Sequence, residues 1–527
     1  MIDRKMFRPL MLALVLSACA ALAEAQYSAI YTFNSSYDGC CAYYADLLAQ
    51  GIDGNLHGTM PVGTHVAFYG SWFDYTIGGG VAIHGLNSYT QPENPYAGLT
   101  LGIDGNYYGA SIHGGANNGN GSTYGALFKI SNGVMTTVYQ FTGGTNGGYP
   151  YAPPVQAPDG NLYGVTNEPG ATGYVYQVVM SASTGTGTLG WVHPLPSGSR
   201  APLILANDGN FYGTTPYGGF TINGVAPLNN SGGTIFQVTL GGALTGIYNV
   251  NSGSSNNGGY GDGGQPWGAV MQASDGNLYG TTSNGGSHED GVVYKVALNG
   301  TGYTVIHNFQ DSDGSAPTGG LMQGSDGFLY GLATSKGAVT QYYGPGGNPL
   351  FTPMGSLFKV ATTGANFSRL YTFEGYVYNG QGPGMAPFST PTLHTNGVIY
   401  GLTLGGGYNG TGSTTYGAYD DGGELFSYNA GLAPFVSVVG QRAARAGDRI
   451  SLIGQGFYNA TGVTFGGVAA TWGKFTVSIY SDNFMTVTVP TGATTGWVTV
   501  QEAGGSNLST LYNFTIVCTG PLCLRHI

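Results

Sequence analysis

Charged residues are scarce in this sequence. Asp, Glu, Lys and Arg together make up 7% of its 527 residues, whereas an ordinary soluble domain has about 25%. Only 14 residues are Lys or Arg, and they form no cluster of the kind that replaces phosphate counterions or contacts an anionic membrane. The sequence therefore argues against nucleic acid as a partner and against a polybasic membrane contact.

Familiar catalytic and metal-binding signatures are also missing. The nine histidines are scattered, and neither a His-Glu-x-x-His motif nor a Walker-type glycine loop occurs. His288-Glu289-Asp290 is a compact titratable cluster that we interpret as a solvated loop. Asp311-Ser312-Asp313-Gly314 lacks the later carboxylate of an EF-hand, and Asp420-Asp421 has no identifiable second acid for glycoside hydrolysis. We predict no cofactor, no metal and no catalytic residue.

Long apolar stretches are absent beyond the N-terminus, so no membrane span is predicted. Residues 1–25 have the form of an export signal, with Arg4, Lys5 and Arg8 followed by a short apolar core at residues 10–15. This leader predicts a bacterial-type exported protein, secreted or held at the cell surface.

Two cleavage sites compete in the leader. Ala23-Glu24-Ala25 is a small-x-small site that would release a chain starting at Gln26. Leu16-Ser17-Ala18-Cys19 resembles a bacterial lipobox, in which Cys19 would carry a lipid anchor. We favour free secretion and keep the lipoprotein as the alternative.

Cysteine is rare, with five in the whole chain. An oxidising compartment would permit disulfides, and we favour this role over metal binding, which would need a fuller set of His and Cys ligands. We therefore predict a structural role. The disulfide candidates are the pair that could close a small terminal loop, Cys518 and Cys523, and the adjacent pair, Cys40 and Cys41.

Glycine is abundant, with 96 residues, and much of it belongs to an internal repeat. The phrase Asp-Gly-Asn, then an apolar residue, Tyr and Gly, recurs with steps of 49 to 70 residues, the last two copies being diverged. Asp-Gly between two strand-like runs predicts a tight hairpin, because Gly tolerates positive φ. The seven copies begin at Asp53, Asp104, Asp159, Asp208, Asp275, Asp326 and Asn396. We interpret these residues as structural, since an Asp can accept hydrogen bonds from its own turn.

Each copy continues into a third and a fourth strand-like run, so the repeat predicts four antiparallel strands. Four strands per unit are typical of a propeller blade, and residues 26–431 therefore predict a seven-bladed β-propeller. Residues 29–33 look like an orphan fourth strand. We predict that they pair with residues 424–428 and close the ring, which removes two exposed sheet edges.

Several sequence elements of the repeat, taken together, resemble those of a known family of repeats. Asp-Gly-Asn-Leu-Tyr-Gly-Thr-Thr at residues 275–282, a Gly-Gly loop, Gly-x-x-Phe-Lys-Val and Leu-Tyr-x-Phe resemble the GloVer tandem repeat of exported bacterial "choice-of-anchor" proteins. The resemblance extends over most of residues 27–430. It implies a secreted, propeller-like protein and implies no known activity.

The repeat pattern ends before Pro434. About seven short strand-like runs in residues 432–517 suit an immunoglobulin-like β-sandwich. They resemble an IPT/TIG domain, which implies a spacer or adhesive module. Residues 518–527 form a short tail with the predicted disulfide loop.

Aromatic residues in three predicted loops suggest a ligand. Flat rings among Asn, Gly and Ser suit sugars, which present C–H faces and hydroxyls together. We predict an exported non-catalytic binding or surface protein whose partner is an extracellular polysaccharide or a cell-surface component. The alternatives are an extracellular carbohydrate-active hydrolase or lyase, with its site at the propeller mouth, and a structural surface-layer protein. The candidate ligand-binding residues are Trp72, Phe73, Tyr75, Tyr342, Tyr343, Tyr408, Tyr416 and Tyr419.

Overall fold

The computed structural model describes residues 26–34, 38, 48–62, 69–86, 92–114, 124–168, 172–227, 232–250, 261–337, 351–376, 385–406, 421–471, 473, 476–505 and 507–517. Regular structure there is β, apart from two 3-10 turns at Gly144–Asn146 and Phe457–Asn459. The predicted all-β class is confirmed. Neither turn has the length and hydropathy of a membrane span, and the described residues contain no other helix.

Seven four-stranded antiparallel sheets follow one another in residues 27–428. The first strand of the chain, β1 (Tyr27–Asn34), belongs to the last of these sheets. Sheet 1 contains β2 (Ala49–Gln50), β3 (Leu56–Met60), β4 (Ser71–Tyr75) and β5 (Val81–Gly85). A two-stranded ribbon, β6 (Pro92–Glu93) with β9 (His113–Gly114), flanks sheet 2, whose strands are β7 (Leu99–Leu101), β8 (Tyr107–Ser111), β10 (Ala126–Ser131) and β11 (Val134–Gln140).

The remaining five sheets repeat this order. Sheet 3 contains β12 (Val155–Gln156), β13 (Leu162–Asn167), β14 (Gly173–Met180) and β15 (Gly187–Leu195). Sheet 4 contains β16 (Ile204–Leu205), β17 (Phe211–Thr215), β18 (Thr234–Val238) and β19 (Leu244–Asn249). Sheet 5 contains β20 (Met271–Gln272), β21 (Leu278–Thr282), β22 (Val292–Val296) and β23 (Thr304–Asn308). Sheet 6 contains β24 (Met322–Gln323), β25 (Leu329–Ala333), β26 (Phe351–Val360) and β27 (Ser368–Tyr376). Sheet 7 contains β28 (Thr392–Leu393), β29 (Ile399–Leu402), β30 (Asp421–Tyr428) and β1.

Strand β1 completes sheet 7 from the opposite end of the repeat region. It pairs antiparallel with β30, with Ala29 opposite Phe426 and Thr32 opposite Glu424. The predicted pairing of residues 29–33 with residues 424–428 is therefore confirmed.

Hydrophobic packing links every sheet to the next. Each of seven buried clusters contains residues of two consecutive sheets, and one joins sheet 7 to sheet 1 through Phe33, Leu56, Phe73 and Leu425. Burying both faces of each sheet in this way explains the apolar residues on both faces of the second and third strands. The sheets therefore form a closed ring.

The short first strands lie at the centre of this ring, because side-chain bonds join them across sheet boundaries. The Oε1 atom of Gln272 in sheet 5 accepts from the backbone N–H of Asn207 in sheet 4 at 2.9 Å, and its Nε2 donates to the carbonyl of Gly276 at 3.0 Å. Gln156 and Gln323 make the equivalent pair of bonds. Gln50 accepts in the same way from Thr395 of sheet 7. Such buried side-chain bonds fix the spacing of neighbouring sheets.

Residues 437–516 form a separate C-terminal unit around a core of their own. One sheet contains β31 (Ser437–Val438), β33 (Arg449–Ile453), β36 (Val477–Ile479) and β37 (Phe484–Thr488). The other contains β34 (Ala460–Phe465), β35 (Val468–Ala469), β38 (Val498–Glu502) and β39 (Asn507–Ser509). A parallel pair, β32 (Ala443–Ala444) and β40 (Thr515–Ile516), accompanies them.

The C-terminal unit covers one end of the ring. The hydroxyl of Ser481 donates to the carbonyl of Ile52 at 3.1 Å, and the amide of Gln455 donates to the Thr395 hydroxyl at 2.8 Å. Both acceptors lie in or next to a turn between a first and a second strand. All the repeated Asp-Gly turns lie at this covered end of the ring. The hydrogen bonds that the described part of the C-terminal unit makes to the ring are at this end, and we call the opposite end the open end.

Candidate functional site

The repeated Asp residues are engaged by their own turns. In sheet 5 the carboxylate of Asp275 accepts from the backbone N–H of Asn277 at 3.1 Å and from the hydroxyl of Tyr279 at 2.7 Å. The glycine between them, Gly276, has a φ of +84°, which a residue with a side chain adopts only with strain. Sheets 2, 3, 4 and 6 have the same two bonds. This geometry is that of a scaffold.

Sheet 1 departs from this pattern because His57 stands where the other turns have Tyr. Its Nε2 lies 3.2 Å from Asp53 and 2.7 Å from the Tyr107 hydroxyl, and its Nδ1 bonds Asp74. Asp74 also bonds His84 at 2.9 Å. Burial alone would lower the pKa of His57, but its two carboxylate partners outweigh burial and raise it.

Burial alone would raise the pKa of Asp53, but hydrogen bonds and charge from His57, together with hydrogen bonds from Asn55, lower it to about 2. The cluster around His57 is thus a small charge network, with His57 favoured as a cation between two carboxylates. It lies at the covered end of the ring, beside the C-terminal unit, where Asn483 packs against Gly54.

Three predicted ligand-binding aromatics do not lie in a loop. Trp72, Phe73 and Tyr75 are on β4, with exposed fractions of 5%, 0% and 6%. Their loop placement was wrong because Ser-Trp-Phe-Asp-Tyr is the third strand of sheet 1, and Phe73 lies opposite Gly58 as Phe128 lies opposite Gly109 in sheet 2. These rings form the hydrophobic interior. The other five candidates, Tyr342, Tyr343, Tyr408, Tyr416 and Tyr419, lie outside the described residues, as do Cys19, Cys40, Cys41, Cys518 and Cys523.

A different set of side chains surrounds the open end of the ring. Just before the first strand of each of sheets 2–7, one partly exposed residue stands between buried neighbours, and these residues occupy the same register position. We call them the mouth residues. They are Tyr96, Tyr151, Arg200, Trp267, Thr318 and Phe388.

Four mouth residues form a continuous arc. The rings of Tyr96 and Tyr151 lie 5.5 Å apart, and the guanidinium of Arg200 lies over Tyr151 at 4.8 Å and over Trp267 at 5.3 Å. Tyr217, which is 47% exposed, extends the arc with an edge-on contact to Trp267 at 5.6 Å. The contacts hold these rings in place, so a ligand would meet them preorganised.

The backbone beneath the mouth residues is strained in a repeated way. Two positions before Tyr96, Asn94 has a φ of +54°, and Gln265 before Trp267 has a φ of +57°. Equivalent positive values occur at Tyr149, Ala316 and Ala386. Each of these five residues precedes a proline and donates its N–H to a backbone carbonyl of the preceding sheet or of one of its loops. Non-glycine residues in this conformation are uncommon and cluster where a ligand is held.

Two acids lie at this same end of the ring. Glu93 directly precedes Asn94, and Glu168 directly follows strand β13. Burial raises the pKa of Glu93. Burial also raises the pKa of Glu168, against the effect of a bond from the Gly144 backbone. Oε1 of Glu168 is buried with no hydrogen-bond partner among the described residues. The open end therefore offers aromatic rings, the guanidinium of Arg200 and the carboxyls of Glu93 and Glu168, which hold their protons more tightly than usual.

The remaining titratable clusters are ion pairs or turns. Lys336 bridges Asp290 at 2.6 Å and Asp311 at 2.7 Å, beside a surface cavity of about 590 Å³ that His288 also lines. Asp313 faces His307 at 3.2 Å. Asp420 lies outside the described residues, and in the described ranges no group of three or more His, Cys, Asp or Glu is arranged to hold a metal.

Comparison with known families gives one match. A family model described as the Gloeobacter/Verrucomicrobia repeat matches residues 223–431. This match supports a repeat of the GloVer type in sheets 4–7. No curated protein matches the chain.

Solved structures similar to the chain are distant. A luciferin-regenerating enzyme has 10% identity and a TM-score of 0.36, covering 64% of this chain and 92% of its own. An α-L-arabinanase from Penicillium chrysogenum has 9% identity and a TM-score of 0.36, covering 63% and 92%. A gluconolactonase from Xanthomonas campestris has 9% identity and a TM-score of 0.32, covering 77% and 95%. At these identities and scores we draw no activity from them.

Proposed function

We propose that the protein is an exported, non-catalytic binding protein that holds a neutral glycan at the open end of a seven-bladed β-propeller. The seven sheets would be the blades, with β1 as the strand that closes them, and residues 432–517 would be an immunoglobulin-like IPT/TIG sandwich. Support for the propeller comes from the cyclic order of the seven hydrophobic clusters. Support for export comes from the leader in residues 1–25.

The arc of mouth residues carries the ligand proposal. Tyr151, Arg200 and Trp267 place two aromatic rings and one guanidinium next to one another. Aromatic faces pack against the C–H surface of a sugar ring, and a guanidinium donates to its hydroxyls. The scarcity of charge elsewhere on the chain favours a neutral polymer over a strongly ionic one.

The test compares two exposed tryptophans. Trp267→Ala should weaken binding to the preferred polysaccharide of an array about tenfold, because one stacked ring contributes about 1.4 kcal/mol. Trp497→Ala is the matched control, since Trp497 is 61% exposed on the C-terminal unit, and it should bind like the wild type. Equal loss in both variants, or none in either, would refute the site.

Glu93 and Glu168 are the observation that favours the alternative function, a carbohydrate-active enzyme. A glycoside hydrolase needs a general acid whose pKa is raised and a second carboxylate, and both acids lie at the open end with raised pKa. Release of reducing sugar from a bound polysaccharide, abolished by Glu168→Gln, would favour a hydrolase. Retention of the polymer without release favours the binding protein.

A further inference from the structure

A second polar pocket lies at the covered end of the ring, between sheet 5 and the C-terminal unit. It has a volume of about 240 Å³ and is lined on the ring side by Asn207 and residues 272–276. On the other side it is lined by Arg442, Thr495, Tyr512, Asn513 and Thr515. The pocket is separate from the mouth residues, which are at the opposite end of the ring.

Arg442 is the cation in this pocket. Its Nη1 donates to the carbonyl of Gln272 at 3.2 Å, and its guanidinium lies over the ring of Tyr512 at 4.1 Å. Burial lowers the pKa of Arg442, although a guanidinium stays protonated in proteins. These two contacts fix the side chain across the junction between the ring and the C-terminal unit.

No carboxylate in the described ranges forms an ion pair with Arg442. Asp275 also lines the pocket, but its oxygens accept from Asn277 and Tyr279 in its own turn. A partly buried cation without a counter-charge is costly, and an anion relieves that cost. The rest of the lining consists of neutral groups, among them the hydroxyls of Ser274, Thr495 and Thr515.

We propose that this pocket binds an oxyanion, either a sulfate-sized ion or the carboxylate of a uronic acid, between the ring and the C-terminal unit. The guanidinium supplies a planar fork that matches two oxygens of such a group, and the hydroxyl and amide groups of the lining supply neutral donors. An anion that contacts both units stabilises their junction, because it binds only the docked arrangement.

Calorimetric titration of the full chain with sodium sulfate and with sodium glucuronate, at constant ionic strength set with sodium chloride, tests the pocket. Wild type should bind at least one of the two, and the binding anion identifies the ligand as a free oxyanion or a uronate. Arg442→Gln should weaken binding about tenfold or more. Arg445→Gln, which removes an exposed cation three residues away, should bind like the wild type.

A second variant guards against a folding defect in Arg442→Gln. Ser274 is exposed at the edge of the pocket, so Ser274→Leu should block the pocket while leaving Arg442 in place. Trp267→Ala should leave anion binding unchanged, which separates this site from the open end. Absence of binding in wild type, or equal affinities in wild type, Arg442→Gln and Ser274→Leu, would overturn the proposal.

Discussion

Removing the side chain of Phe33 should destabilise the junction that closes the ring. Phe33 is the fully buried residue of β1, its ring lies 5.1 Å from that of Phe73, and it belongs to the cluster that joins sheet 7 to sheet 1. A Phe→Ala change at such a position costs about 3–5 kcal/mol, from lost burial and from the cavity left behind. We expect that loss for Phe33→Ala.

The loss can be expressed as a melting temperature. If about 400 residues unfold as one unit, with an unfolding entropy of about 2.1 cal/mol/K per residue, a loss of 3–5 kcal/mol lowers Tm by about 4–6 °C. Scanning calorimetry measures this shift. Val134→Ala is the control, because Val134 is 60% exposed on an outer strand, and it should change stability by less than about 0.5 kcal/mol.

Hydrogen exchange separates local from global opening. If the ring is one cooperative unit, Phe33→Ala should speed exchange in β1 and also in sheets 1 and 7. Faster exchange confined to residues 27–34, with Tm unchanged, would show that β1 frays independently. Equal Tm values for Phe33→Ala and Val134→Ala would refute the closure argument.

Three further predictions concern the turns and the sheet contacts. Tyr279→Phe removes the hydroxyl that donates to Asp275 and should lower the free energy of unfolding in urea by about 1 kcal/mol. Gln272→Leu leaves the N–H of Asn207 without its side-chain acceptor and should lower the same quantity by about 1–3 kcal/mol. The raised pKa of His57 means that its contribution to stability is complete below its unfolded value of 6.5 and is lost as pH rises through the higher folded pKa. The Tm of wild type should therefore fall over that pH range, and His57→Gln should remove this dependence.

Each of these predictions has a result that contradicts it. Tyr458→Phe, at a residue that is 70% exposed, should leave stability unchanged. If Tyr279→Phe is as stable as Tyr458→Phe, the Tyr279 hydroxyl does not stabilise the turn. A Gln272→Leu variant as stable as wild type would mean that packing alone spaces the sheets. An identical pH profile in wild type and His57→Gln would show that His57 gains no stabilising charge from Asp53 and Asp74.

The scaffold is predictable from the sequence because its signals are local and repeated. Asp275, Gly276 and Asn277 form a turn by bonds within five residues, so the same letters give the same hairpin in each sheet. The paired strands β1 and β30 are separated in sequence by nearly the whole repeat region. Their pairing is nevertheless predictable from the number of strands in each repeat. The last repeat lacks a fourth strand, and the N-terminal strand belongs to no repeat of its own. Pairing the two completes the last sheet.

The side-chain contacts between sheets are harder to predict. The hydrogen bond from Asn207 to Gln272 joins residues that are 65 positions apart. The sequence around neither residue predicts it. The placement of Trp72, Phe73 and Tyr75 failed for a related reason. Their strand keeps the Gly and Phe of the pattern Gly-x-x-Phe-Lys-Val but has Asp74 and Tyr75 in place of Lys and Val. Its pairing with β3 and β5 identifies it as the third strand of sheet 1.

The mouth residues could have been found by comparing the repeats with one another. Pro266-Trp267, Pro317-Thr318 and Pro387-Phe388 stand at the same distance before the first strand, and a proline precedes five of the six mouth residues while the mouth residue itself changes. The proline has a packing partner, since Pro266 lies against Gly233, where a Cβ would come within 2.6 Å of the proline ring. The variable residue, in contrast, is partly exposed in each of sheets 2–7.

Variation among equivalent positions of one chain therefore separates the scaffold from the site. The turn Asp is the same in six of seven repeats because it accepts bonds that every hairpin must satisfy. The mouth position carries Tyr, Arg, Trp, Thr or Phe because the ring folds with any of them, and what they share is partial exposure around one opening. A ligand at that opening would touch several sheets at once. Because the mouth residues differ from sheet to sheet, they can bind such a ligand in one orientation around the ring. Identical side chains at every position could not distinguish the orientations.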